Sequence, residues 1–187
     1  MTADQRIIEG CIAGKRRAQS QLYEKYSPGM LGVCLRYCRN FEDAEDVLQE
    51  GFIKVFHNLH TFRSESTIGA WIKRIMINTA ITHNKKLAGH GADNLNILES
   101  GSIDIPDNDE DPATYMQIEP EILLKYVQEL PHGYRTVLNL FIFEGYSHKE
   151  ISGMLNISES TSKTQLFKAR IYLKNRLLPI IKEKITA

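Results

Sequence analysis

The sequence predicts an all-α protein: two small helical domains joined by a flexible acidic linker, the second domain containing a helix-turn-helix. Three patterns lead there. Apolar residues recur at spacings of three and four through most of the chain, the period of an amphipathic helix. No segment alternates apolar and polar residues as a half-buried strand does. Between the two periodic stretches, residues 88–118 are rich in Gly, Asn, Asp and Pro, and a structureless run of that length does not belong inside one compact domain. The expected division is therefore a first domain at 1–87, a linker at 88–118 and a second domain at 119–187. The 187 residues suffice for two small cores.

In chain order, Leu22, Tyr23 and Tyr26 share a helical face. Ser27-Pro28 reads as a cap followed by Pro at the first helical position, starting a new helix that carries Leu31, Cys34, Leu35 and Cys38 to about Arg39. Asn40-Phe41 is a joint. Ala44, Val47, Leu48, Phe52, Val55, Phe56 and Leu59 form a clear stripe, interrupted by Gly51 at a cost of roughly 1 kcal/mol relative to Ala. Residues 57–67 are polar and irregular, a loop. A further helix runs from about Ile68 to Leu87. Beyond the linker, Leu123, Tyr126, Val127 and Leu130 form a stripe ended by Pro131. Tyr134, Val137, Leu138, Phe141 and Ile142 form the next, ended by Gly145. Ser147 with Glu150 three residues later is a capping box. Its helix carries Ile151, Met154 and Leu155 and stops at Asn156, a residue suited to a left-handed cap. Ser158 caps the last helix, with Ser162, Leu166, Ala169, Leu173 and Leu177 inward, and Pro179 weakens or ends it.

Composition excludes several classes. No apolar run approaches the roughly 18 residues of a membrane helix, so no membrane insertion is expected. Met1 to Gly10 lacks the basic-then-apolar layout of a secretory signal; a cytoplasmic protein is expected. Cys11, Cys34 and Cys38 are an odd number without a signal, which argues against a disulfide framework and for core thiols. No Gly-rich phosphate loop, HExxH or GxSxG occurs, and the six His are scattered. Neither a catalytic residue, a metal site nor a cofactor is expected.

Net charge is zero, but its distribution is uneven. Residues 91–121 hold nine acids and no Lys or Arg, residues 63–90 five basic residues against one acid, and residues 147–187 eight against three. Two basic segments flank an acidic one, so each end can meet nucleic acid although the average is neutral.

Three segments carry the chemistry. In the first, Ser147 to Leu178, a short capped helix, a tight turn and a longer basic helix make a helix-turn-helix. The outer face of the second helix presents Ser160, Thr161, Lys163, Thr164, Gln165 and Lys168. Hydroxyls and Lys bond phosphates, while Gln and Lys also read base edges; Arg170, Lys174 and Arg176 extend the positive field. A solvated face of a helical bundle would look similar. In the second, Trp71, Arg74, Asn78, Thr82 and Lys85 fall along one helical stripe. An aromatic ring beside cations suits an unpaired base, yet spacing alone leaves Trp71 equally placed in a core. The third, Glu42 to Glu50, is an amphipathic helix with a densely acidic outer face. Such a face repels DNA; it is either solvated or docked on a basic protein.

These segments occur in the order found in sigma factors of the extracytoplasmic-function group, which the chain resembles over nearly its whole length. Leu22-Tyr23-Glu24-Lys25-Tyr26, the run Glu42 to Glu50, Phe62-Arg63, Ala70 to Ile75 and Asn78 resemble sigma region two. Leu130-Pro131, Gly145 to Ile151, Ile157-Ser158, Lys163-Thr164 and Lys168-Ala169-Arg170 resemble region four. The resemblance implies that the acidic helix, with Asp46, Gln49 and Glu50, docks on the beta-prime coiled coil of core RNA polymerase. It implies that a loop near His60 to Thr67, with Arg63, captures a base flipped from the −10 element, and that Trp71, Arg74 and Asn78 sit at the edge of the opening duplex. The last helix would enter the major groove of the −35 element, and its domain would bind the beta flap. The linker would follow the path of nascent RNA, its acids mimicking the RNA backbone. Many relatives are held by an anti-sigma factor, so one is an expected partner beside core polymerase and promoter DNA. Three departures stand out: Ser160-Thr161-Ser162 where Gly-Thr-Val is common, Gln165 for a common Arg, and Ile77 for a frequent polar residue.

Two other classes share some of these features. A DNA-binding regulator acting without polymerase would have the same helix-turn-helix but no need of the acidic helix. An interaction module, such as an anti-sigma or adaptor protein, would show no promoter selectivity.

Overall fold

A computed structural model describes residues 3–88 and 118–186; the linker expected at 88–118 lies almost wholly outside them. The described residues form helices and no strand, and the chain divides into two compact units, 1–87 and 88–187.

In the first unit, α1 (Ala3–Ile12) turns back onto α2 (Arg16–Tyr37). Gly14, at φ +71°, allows the reversal; the left-handed backbone there is nearly free for glycine alone. The expected new helix at Ser27-Pro28 does not start. Instead α2 runs unbroken through Pro28. An interior proline costs roughly 3 kcal/mol, but Leu22 before it and Val33, Cys34 and Tyr37 after it are all buried on the same side. A straight helix buries both sets, and each such side chain is worth about 1.5–3 kcal/mol. Pro28 itself faces solvent.

Asn40 caps α3 (Phe41–Asn58), its Oδ1 accepting the Asp43 N–H at 2.7 Å. The predicted stripe of Ala44, Val47, Leu48, Phe52 and Val55 is buried. Gly51 has a packing reason: a Cβ there would stand 2.2 Å from Met76 Sδ, so its absence lets α4 (Ile68–Ala88) lie close against α3. The loop expected at 57–67 is shorter. Helix α3 reaches Asn58 and a 3-10 turn covers Leu59–Thr61, because Leu59 is itself a core residue. Only 62–67 are irregular, and Thr67 Oγ1 accepts the Ala70 N–H at 3.3 Å to start α4. Near the far end of α4 the buried Asn84 donates to the Tyr37 carbonyl at 2.8 Å, tying α4 to the end of α2. All three cysteines are buried thiols, and burial pushes the Cys34 thiol up to about 12.

In the second unit, α5 (Pro120–Glu129), α6 (His132–Leu138) and α7 (His148–Leu155) pack on the long α8 (Glu159–Thr186). Arg135 is only 1 % exposed. Its Nη1 donates to the Gln128 carbonyl at 2.7 Å and the Leu130 carbonyl at 3.2 Å, capping the end of α5 with a cation where the helix dipole favours one. After α6 the backbone widens into a π-helical turn at Asn139–Phe143. The extra residue shifts the phase of the predicted stripe: Tyr134, Val137 and Leu138 are buried, Phe141 is half-buried, and Ile142 is 48 % exposed rather than inward. The capping box at Ser147 and Glu150 is complete, and Asn156 takes the left-handed cap at φ 57°, ψ 50°. Pro179 does not end α8; Leu177 and Ile181 are buried on either side of it while Pro179 faces solvent. The balance is the one struck at Pro28.

Candidate nucleic-acid interface

The turn between α7 and α8 is Asn156-Ile157-Ser158. Its geometry is locked at both ends: Asn156 reverses the chain, and Ser158 Oγ accepts the Thr161 N–H at 3.0 Å to begin α8. Beyond that cap, Ser160, Thr161, Lys163 and Thr164 are exposed in one turn of helix. Thr161 shares its hydroxyl with Ser158 at 2.8 Å, so part of its bonding capacity serves the cap. Lys168 is half-exposed. Gln165 differs from the rest of the predicted set. It is half-buried against α6, where a Cβ on Gly133 would meet its Nε2 at 2.9 Å. Its Oε1 is buried without a hydrogen-bond partner among the described residues, so turning outward would free it to bond. Further along, Arg170 lies 6.0 Å from the centre of the Phe141 ring and Arg176 lies 5.4 Å from that of Tyr172, distances at which a guanidinium and a ring face attract.

Ser162 was expected as a polar intruder on the inner face of α8. It is fully buried, and its Oγ shares a hydrogen bond with His148 Nδ1 at 2.9 Å. The His148 ring in turn stacks on Phe141, with centroids 4.6 Å apart. His148, one of the scattered His, is thus half-buried between the helices of the motif. The signal that could have found it is its position directly after the Ser147 cap, which aims the first turn of α7 at α8.

In the first unit, Trp71 is neither fully buried nor free. Its ring is half-buried on α4 and leans on Phe62, with centroids 5.6 Å apart and planes at 57°. Arg74 and Asn78 follow it on exposed turns of the same stripe, and the Thr82 hydroxyl donates to the Asn78 carbonyl at 2.9 Å. Arg63 is exposed beside Phe62 in the irregular segment 62–67, where Ser64 holds a positive φ of 58°. The structure therefore brings Arg63, Trp71, Arg74 and Asn78 to the 62–67 segment and the α4 stripe it abuts. The tilted ring pair fixes the plane of Trp71.

On α3, Asp46 and Gln49 are exposed and Glu50 is partly so. Glu50 pairs with Lys54 at 2.7 Å, and Lys54 also donates to Thr79 Oγ1 at 3.2 Å. The Lys54 hydrogen bond holds the Glu50 carboxyl below the ordinary glutamate range. Ile53, 61 % exposed, lies on the same stripe as Asp46, Gln49 and Glu50, an apolar surface residue that charge patterning overlooked.

The family profile of Sigma-70 region 2 matches residues 22–89 and that of Sigma-70 region 4 matches residues 121–173. Every predicted site residue falls inside one of the two spans. The chain is 31 % identical over 190 residues to the RNA polymerase sigma-H factor of Pseudomonas aeruginosa, an alignment covering 96 % of each chain. It is 27 % identical to the ECF RNA polymerase sigma-E factor of Haemophilus influenzae, over 95 % of this chain and 97 % of the relative. The fold is like that of the sigma factor RpoE of Bartonella quintana, co-crystallised with the anti-sigma factor NepR, at a TM-score of 0.53 and 20 % identity over 84 % of this chain and 95 % of that one. With two helical units matched in order and near-complete coverage by a relative, the chain belongs to the sigma-70 family, in its extracytoplasmic-function group, and is a promoter-recognising sigma factor of bacterial RNA polymerase.

Proposed function

We propose that the two units divide promoter recognition between them. Unit 1–87 engages core polymerase and the −10 element, unit 119–187 reads the −35 element, and residues 88–118 connect them. The observation that carries this is the exposed cation-and-hydroxyl turn of α8 set directly behind a doubly capped three-residue bend. Ser160, Thr161, Lys163, Thr164 and Lys168 contact phosphates and base edges of the major groove, and Gln165 joins them by turning out from Gly133. Arg170 and Arg176, each near an aromatic ring, anchor the backbone. In the other unit, Trp71 supports an unpaired base while Arg63 and Arg74 hold phosphates and Asn78 bonds the duplex edge. Extruding a base costs a few kcal/mol, which stacking on an aromatic ring returns at about 1–3 kcal/mol per base.

Asp46, Gln49 and Glu50 dock on the beta-prime coiled coil, and the second unit docks on the beta flap. The protein makes no bonds itself; phosphoryl transfer belongs to the core enzyme, and its own mechanism is binding energy spent on DNA distortion. It works in the cytoplasm, where core polymerase and promoter DNA meet. No helix among the described residues is long and apolar enough to cross a membrane. An anti-sigma factor is a further partner, as for the Bartonella relative. The seven acids of 88–118 mimic RNA in the polymerase channel; unchanged abortive synthesis after their neutralisation would refute that role.

Run-off transcription with purified core polymerase across genomic fragments tests the whole reading. Discrete promoters sharing −10 and −35 elements are the expected product, and failure to associate with the core enzyme would overturn it. Lys163→Ala should weaken −35-dependent binding by roughly 1–3 kcal/mol if the contact is to a base edge; a gel-shift series with the holoenzyme reads this directly.

A further inference from the structure

The hydrogen bond between Ser162 and His148 joins the two helices of the DNA-reading motif through a fully buried hydroxyl. It does not stand alone. His148 stacks on Phe141, with centroids 4.6 Å apart and planes within 22°, and Phe141 comes from the π-helical turn after α6. Arg170, two turns along α8 from Ser162, approaches the same Phe141 ring at 6.0 Å. The chain of contacts therefore closes: from α8 through Ser162 to α7, through His148 to the π-helical turn, and through Phe141 back to α8.

Such a loop constrains something that apolar packing leaves loose. An aliphatic side chain at 162 would fill volume and tolerate small rotations of the helix. A hydrogen bond weakens within a few tenths of an ångström or a few tens of degrees. Ser162 lies immediately before Lys163 and Thr164, so the angle it fixes is the angle at which they are presented. At a helix surface about 5–6 Å from the axis, a rotation of roughly 10° moves a side chain by about 1 Å, enough to lose a base contact.

We infer that His148 and Ser162 are positioning residues for promoter reading: their hydrogen bond, backed by the Phe141 ring, sets the rotation of α8 against α7 and so decides which base edges Lys163 and Thr164 address. This rests on α8 being the −35 helix. Ser162→Val should keep the fold and alter the sequence read.

The test uses the full chain with core polymerase on a promoter library randomised in the −35 element, comparing preference ratios rather than total transcription. Ser162→Ala and His148→Phe should each reduce the ratio between best and singly mismatched −35 sequences roughly five- to tenfold, as expected for losing one buried hydrogen bond, and combining them should cost little more than either. Ser162→Thr and His148→Asn, which keep a hydroxyl and an acceptor, should retain most of the preference. If Ser162→Ala and His148→Phe lower the melting temperature while leaving the ranked −35 preferences intact, the pair is mere packing and the inference fails. Equal losses from Ser162→Thr and Ser162→Ala would overturn it too. His148→Phe leaves α8 untouched, so it decides the matter should Ser162→Ala not fold. Lys163→Ala separates the two levels: if it leaves both −35-dependent binding and −35 preference unchanged, the assignment of α8 falls and takes the inference with it, whereas loss with Lys163→Ala alone refutes only the positioning role.

Discussion

The two units present the side chains proposed to meet DNA in opposite ways. In the first, the key group is an aromatic ring, half-buried and braced by a second ring, Phe62 against Trp71 at 5.6 Å. In the second, the key groups are Lys and Thr on the outside of a helix, and the precision lies beneath them, in the Ser162–His148 bond and the caps of the bend. The difference fits the two tasks proposed for them. Supporting a flipped base requires a rigid surface that can return the cost of unstacking. Reading a closed groove requires long side chains that adapt locally but start from a defined helix angle. The cores follow suit. The first unit closes by close approach, with Gly51 admitting Met76, and the second by a buried cation on helix-end carbonyls.

The largest expected effect breaks the second unit alone. Arg135→Met removes the donor to two carbonyls at the end of α5. Each buried group left unpaired costs about 1–3 kcal/mol, so thermal unfolding should split, with the second unit melting well before the first. A single transition shifted as a whole would show that the cores are not independent.

Trp71→Ala comes next. Losing one base platform should slow open-complex formation by about 1–3 kcal/mol, roughly 5- to 150-fold, with closed-complex affinity unchanged; permanganate reactivity of the −10 thymines against gel-shift affinity measures the two steps. Equal loss in both would remove the contrast between a melting unit and a reading unit. Gly51→Ala should cost about 1 kcal/mol by overpacking against the buried Met76, seen as a lower melting temperature confined to the first unit.

The smallest effect concerns the capping box. The Ser147 hydroxyl and N–H hold the Glu150 carboxyl below the usual glutamate range. A lowered folded-state pKa means the stabilisation is present above the ordinary glutamate value and fades as pH falls through the lowered one. Glu150→Gln should therefore shift the urea midpoint of the second unit slightly at neutral pH and leave it unchanged in acid, where the native glutamate is protonated too.

Much of the fold was legible because helical period and cap chemistry are local. The stripe from Ala44 to Leu59, the Ser147–Glu150 box and the Asn156 cap each depend on residues within one or two turns. Legibility failed at prolines and phase shifts. Pro28 and Pro179 read as boundaries because local energetics opposes them, and apolar burial on both sides overrode that opposition. Ile142 was placed inward because a π-helical turn is invisible to a count based on 3.6 residues per turn. At the interface, residue types on exposed faces were legible: Lys163, Thr164, Arg74 and Asn78 stand out as spacing suggested. Partners across helices were not. Neither the Phe62 brace behind Trp71, nor the seat of Gln165 against Gly133, nor the exposed Ile53 among the acids follows from neighbours in the chain.

The sequence by itself determined the helical class, the caps that start and stop the recognition motif, and the segregation of charge into basic ends and an acidic middle, since each is a sum of short-range preferences along one strand of polymer. Only the tertiary structure decided that Ser162 is paired rather than merely tolerated, that Gly51 is a contact point rather than a flaw, and that Trp71 is braced at a surface. Those outcomes depend on which groups from distant segments come within a few ångströms, and burial then makes an unpaired hydroxyl or a clashing methyl group costly enough to settle the arrangement.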